Sequence, residues 1–79
     1  MQVIKRDGSV EEFSADKIIN AVDKAFESCN KKMPKYMCDM LRALFSTLDG
    51  DTIGIEEIQN KIEDILMNDK FFDVAKSYI

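Results

Sequence analysis

Val3-Ile4-Lys5-Arg6-Asp7-Gly8-Ser9-Val10-Glu11-Glu12-Phe13 decides how this chain folds. Two short strand-like runs, Val3 to Arg6 and Val10 to Phe13, flank Asp7-Gly8-Ser9. An Asp-Gly pair between such runs is a strong hairpin signal, because the turn needs a positive φ. Two registers fit the residues. A two-residue loop sets Lys5 opposite Val10, and a three-residue loop with a bulge sets Lys5 opposite Glu11. The choice decides where Lys5 and Arg6 point.

Beyond the hairpin the pattern turns helical. Ser14 is placed as an N-cap and Asp16 suits the positive end of a helix. Ala15, Ile18, Ile19, Val22, Ala25, Phe26 and Cys29 then recur at helical spacing, which predicts a first helix to about Asn30. Asn30-Lys31-Lys32-Met33 breaks it and Pro34 opens the next. The second helix carries Tyr36, Met37, Met40, Leu41, Leu44, Phe45 and Leu48, ended by Asp49-Gly50. Thr52-Ile53 offers a short third strand. Gly54 precedes a third helix with Ile55, Ile58, Ile62, Ile65 and Leu66 on one face. After Asn68-Asp69, Phe71, Phe72, Val74, Ala75, Tyr78 and Ile79 begin a fourth. The expected architecture is α+β: a β-hairpin or three-stranded sheet capping a bundle of about four short helices. The apolar close without a C-cap is the pattern of a last helix cut short.

Composition narrows the function. Seventy-nine residues form one small domain, with 46% hydrophobic and 33% charged residues, as in an ordinary globular chain. A net charge of −4 argues against a nucleic-acid partner, which needs a basic face. No run approaches the roughly 20 apolar residues of a membrane span. Met1-Gln2-Val3-Ile4-Lys5-Arg6 lacks the apolar stretch of a signal peptide, so a cytoplasmic location is expected. Cys29 and Cys38 form no C-x-x-C pair and there is no histidine. They read as reduced core thiols, with no zinc site and no Cys-His or Ser-His dyad. No catalytic residues are expected.

Two segments invite a ligand. Asp49-Gly50-Asp51-Thr52-Ile53-Gly54 starts like a calcium loop, but Ile53, Glu56 and Asn60 stand where the loop needs an oxygen ligand, an apolar residue and a bidentate glutamate. A helix end and turn explain it better, and no metal site is expected. The other segment is the hairpin with the helix behind it. Lys5 and Arg6 flank a tight turn, and Lys17 lies in the first turn of the helix that Ser14 begins. Arginine grips phosphate oxygens in pairs, lysine adds a movable charge, and a helix N-terminus offers free N–H groups. The competing reading is a solvated surface whose cations pair with Glu11, Glu12 and Asp16.

These same residues resemble the opening V-x-K-R-D-G-x-x-x-x-F of the ATP-cone family, and Asp16-Lys17-Ile18 continues the likeness. Ile55-Glu56-Glu57-Ile58-Gln59 is similar to its V-x-E-I-Q run. Leu66-Met67 and Phe71-Phe72-Asp73-Val74-Ala75-Lys76-Ser77-Tyr78-Ile79 resemble its closing segment. The likeness covers nearly the whole chain, with a variable middle from about Ser28 to Asp51. It implies a non-catalytic, allosteric domain at the N-terminus of a ribonucleotide reductase, an oxidoreductase. Such a domain binds ATP, which supports activity, or dATP, which stops it, with or without Mg2+. Carried onto this chain, Lys5, Arg6 and Lys17 hold phosphates. Glu11 and Ser14 approach the adenine edge, and Val3, Phe13 and Ile18 wall the base. The implied partners are the parent's catalytic domain and its other subunits. The wording is most similar to cones of anaerobic ribonucleoside-triphosphate reductases, with the aerobic class next. The alternative is a degenerate cone that docks on protein without binding nucleotide, through Tyr78 and Ile79.

Overall fold

The computed structural model describes residues 1–78; expectations for Ile79 lie outside the described residues. In chain order the elements are β1 (Gln2–Ile4), β2 (Val10–Glu12), α1 (Ala15–Ser28), α2 (Lys35–Ser46), β3 (Thr52–Gly54), α3 (Ile55–Asn68) and α4 (Phe72–Tyr78). The fold is α+β, as expected, and the third strand is present. β1 lies in the centre of the sheet, antiparallel to β2 and parallel to β3. Val3 pairs with Glu11 on one side and Ile53 on the other.

The hairpin takes neither expected register. Ile4 faces Val10, and the Lys5 N–H donates to the Ser9 carbonyl at 2.8 Å, so Lys5 stands opposite Ser9. The loop is Arg6-Asp7-Gly8, one residue earlier than the Asp-Gly reading placed it. The Gly8 N–H closes the turn on the Lys5 carbonyl at 3.0 Å. Gly8 alone in this loop has positive φ, at 85°, so the turn is type I followed by a left-handed glycine. Asp7 stabilises this arrangement by accepting from the Ser9 N–H at 2.9 Å and the Ser9 hydroxyl at 2.6 Å. Those bonds hold the Asp7 carboxyl below its usual pKa. The strands are correspondingly shorter than the sequence suggests.

Strand alternation then sorts the hairpin's side chains. Val3 is buried beneath the sheet, while Ile4 and Val10, paired on the outer face, stay exposed. Phe13, half-buried just past β2, meets the ring of Phe45 edge-on at 5.4 Å.

The helices end by local rules. α1 starts on Ser14, whose hydroxyl accepts from the Lys17 N–H at 3.3 Å. It ends two residues before the expected Asn30. Asn30 instead adopts φ 57°, while Lys31 N–H reaches back to the Phe26 carbonyl at 3.0 Å, a Schellman closure. α3 ends the same way, with Lys70 at φ 65° and the Phe71 N–H on the Leu66 carbonyl at 2.8 Å. α2 begins after Pro34 and stops at Ser46, leaving Leu48 just outside.

The core gathers one stripe from each helix. Val22, Phe26, Met37, Leu41, Ile58, Ile62, Leu66 and Val74 are essentially fully buried. Burying a side chain of this size contributes about 1.5–3 kcal/mol. Phe26 and Phe71 add an edge-on pair at 5.0 Å. α4 packs against both α1 and α3. Lys31 pairs with Asp73 at 2.7 Å, tying the end of α1 to α4. Cys29 and Cys38 are free and half-buried. The calcium-loop stretch is used otherwise: Thr52–Gly54 forms β3, and Ile53 is buried in the core.

Candidate functional site: a cleft below the hairpin

Ser14, which caps α1, and the face of α1 carrying Lys17, Ile18, Ala21, Lys24, Ala25 and Ser28 line a cavity of 430 Å³. Val3, Glu11 and Glu12 of the hairpin line it as well, as do Ile55 and Gln59 of α3 and Ser77 and Tyr78 of α4. The local reasons are short. Ala21 and Ala25 are small, so the middle of α1 leaves room. Val3, Ile18 and Ile55 supply an apolar wall. The size suits a small-molecule ligand.

The polar groups concentrate at the hairpin end. Because Lys5 and Glu11 share the inner face of the hairpin, Lys5 Nζ reaches Glu11 Oε2 at 3.1 Å. The other Glu11 oxygen takes a hydrogen bond from Lys17 Nζ. Lys17, and then Lys5, hold the Glu11 carboxyl below the usual carboxylate range, against a small opposing effect of burial. Arg6 swings from the turn to α3. Its Nη2 donates to Gln59 Oε1 at 2.8 Å, and its Nε lies 3.5 Å from Glu56 Oε1. Ion pairs this open to water contribute little stability. Their effect is positional: two ammonium groups rest on one carboxylate that faces the cavity.

Five of the eight residues singled out from the sequence line the cavity: Val3, Glu11, Ser14, Lys17 and Ile18. Lys5 and Arg6 stand behind two lining residues, Glu11 and Gln59, through the contacts above. Phe13 is not among the lining residues; its half-buried ring packs on Phe45 of α2, against the core. Asp16 points elsewhere and pairs with Arg42 of α2 at 2.7 Å. Tyr78, considered above as a docking residue, lines the cleft, where burial raises its hydroxyl pKa. Sequence reasoning missed Lys24, Gln59 and Ser77. Lys24 was findable, since it falls two helical turns beyond Lys17 on the same face. Gln59 and Ser77 come from helices distant in sequence, and only the tertiary packing brings them in.

A hairpin-capped α+β bundle with a cation-rimmed cleft is the class of small domain that this geometry defines. The chain belongs to the ATP cone domain family, which it matches over residues 1–79. It is 39% identical to the vitamin B12-dependent ribonucleoside-diphosphate reductase of Thermoplasma acidophilum, over 99% of this chain and 11% of that protein. It is 38% identical to the anaerobic ribonucleoside-triphosphate reductase of Haemophilus influenzae, over 98% of this chain and 11% of that protein. The chain thus spans about a ninth of the length of these relatives. Among the described residues, no helix is long and apolar enough to cross a membrane.

Proposed function

We propose that this chain is a nucleotide-binding regulatory domain that adjusts the overall activity of a ribonucleotide reductase in response to ATP and dATP. The observation that carries this reading is the cleft of α1, α3 and α4, apolar along its wall, with Lys17 on its lining and Lys5 and Arg6 held just behind it on Glu11 and Gln59. The chain itself performs no chemistry. The parent is an oxidoreductase of the anaerobic ribonucleoside-triphosphate reductase class.

The ion pairs suggest how a triphosphate enters. Glu11 holds Lys5 and Lys17 in place while the cleft is empty. Phosphate oxygens, accompanied by Mg2+, take over those ammonium groups, one anion replacing another. The released Glu11 carboxylate is then free to accept from the exocyclic amine of adenine. Ser14 flanks the same edge, with the positive end of α1 behind it. Val3 and Ile18, joined by Ile55, cover the faces of the base. Arg6 leaves Gln59 and Glu56 to grip phosphate oxygens in pairs. Regulation requires that the bound and free domains contact the parent differently, with ATP and dATP favouring different subunit associations.

The test is calorimetric titration with ATP, dATP and GTP, with and without Mg2+. Saturable adenine-specific binding near micromolar, about −8 kcal/mol, is expected. Lys5→Ala and Arg6→Ala should each weaken triphosphate binding by about tenfold or more, the contribution of a charge-assisted hydrogen bond, without altering thermal unfolding. Unchanged affinity in both variants refutes the phosphate roles. Heat from no nucleotide refutes the reading itself.

A further inference from the structure

We infer that Lys24 is a second anion anchor of the cleft and reads the length of the ligand's phosphate chain, an inference that rests on the nucleotide reading of the cavity. Two lysines line this cavity, Lys17 and Lys24. Lys17 is already engaged by Glu11, whereas Lys24 has no ion-pair or hydrogen-bond partner among the described residues. A polyanion must displace Glu11 to reach Lys17. At Lys24 it displaces only water.

The helix fixes the spacing. Lys24 lies seven residues beyond Lys17, about 10.5 Å along the axis and almost directly below it on the same face. Lys5, Arg6 and Lys17 cluster at the hairpin end, while Lys24 lies two helical turns further along α1 in the cavity that Ser77 and Tyr78 of α4 also line. A lysine side chain is long and mobile, and its ammonium acts as a point charge. Between the two lysines, the lining residues Ile18 and Ala21 offer no charge of their own. A ligand with one phosphate at the hairpin is held by that cluster alone. A longer phosphate chain extends along α1 until Lys24 meets its far end. The contribution of Lys24 therefore grows with each phosphate, and it is absent for a nucleoside.

The experiment compares the wild-type chain with Lys24→Ala and Lys24→Gln, titrated with adenosine, AMP, ADP, ATP and inorganic tripolyphosphate. Lys24 is exposed, so thermal unfolding should be unchanged and serves as the folding control. Both variants should lose about tenfold or more in affinity for ATP and tripolyphosphate, progressively less for ADP and AMP, and nothing for adenosine. An equal loss for all ligands, adenosine included, overturns the length-reading role. So does equal affinity of wild type and variants for ATP and tripolyphosphate. Tripolyphosphate also separates the two ideas. Binding of it that depends on Lys24, with no preference for ATP, would uphold the anion anchor and sink the adenine reading. If wild type binds neither ATP nor tripolyphosphate, both fall.

Discussion

Gly8→Ala is the substitution that most sharply probes how the hairpin presents its cations. Gly8 sits at φ 85°, and a Cβ placed there would meet no other atom within 4 Å. The cost is therefore one of backbone conformation and not of crowding. Holding an L-residue left-handed costs roughly 1–2 kcal/mol. Alanine also narrows the unfolded ensemble, which returns about 0.4–1 kcal/mol. The net loss is about 1 kcal/mol. With a urea m-value near 1 kcal/mol/M for so short a chain, the unfolding midpoint should fall by about 1 M with m unchanged. Asparagine tolerates the left-handed region better, so Gly8→Asn should lose clearly less. The variant also bears on binding. If alanine drives the loop into another register, Lys5 leaves the face it shares with Glu11, and triphosphate affinity falls with it. A Gly8→Ala midpoint equal to wild type, or a Gly8→Asn loss as large as that of alanine, would refute the type I turn with left-handed glycine.

Lys70 is the converse case, a non-glycine residue held at φ 65°, and Lys70→Gly should stabilise the chain by about 0.5–1 kcal/mol, raising Tm by several degrees in a thermal melt. Ile62 is fully buried, so Ile62→Ala should cost about 2–5 kcal/mol in urea unfolding, enough to leave this small fold barely stable. The Glu11 carboxyl, ordinarily near 4.5, is lowered by Lys17 and Lys5; its stabilising effect is present above the unfolded pKa and is lost as pH falls through the lower folded value. Following the Glu11 carboxyl by NMR through an acid titration should show its midpoint below the ordinary value and closer to it in Lys17→Ala, and an unchanged midpoint in the variant would contradict the shared ion pair.

Element types were legible because they follow from local pattern. The periodicity of Ile18, Val22, Ala25 and Phe26 and the cap at Ser14 state α1 without tertiary information. The hairpin's register was not legible. Both readings centred the turn on Asp7-Gly8, whereas Asp7 spends its carboxylate on Ser9 and so moves the turn to start at Lys5. The observed register keeps Lys5 and Glu11 on one face as diagonal neighbours, where the two-residue loop would have put them on opposite faces. For the candidate site, the hairpin and the first turn of α1 were readable because they are neighbours in sequence. The opposite wall was not, because Gln59 and Ser77 reach the cleft only through the packing of α3 and α4. Phe13 shows the same limit from the other side. An aromatic at the end of a strand reads equally well as cleft wall or core, and its contact with Phe45 packs it half-buried against the core.

The most direct test of the central claim is to map ATP onto the chain by following backbone amide chemical shifts through a titration. Saturable changes are expected at Val3, Lys5, Arg6, Glu11, Ser14, Lys17, Ile18 and Gln59, with α2 around Met37 and Leu41 little affected. Absence of shifts at saturating ATP, or shifts centred on α2 and sparing the hairpin, would contradict it.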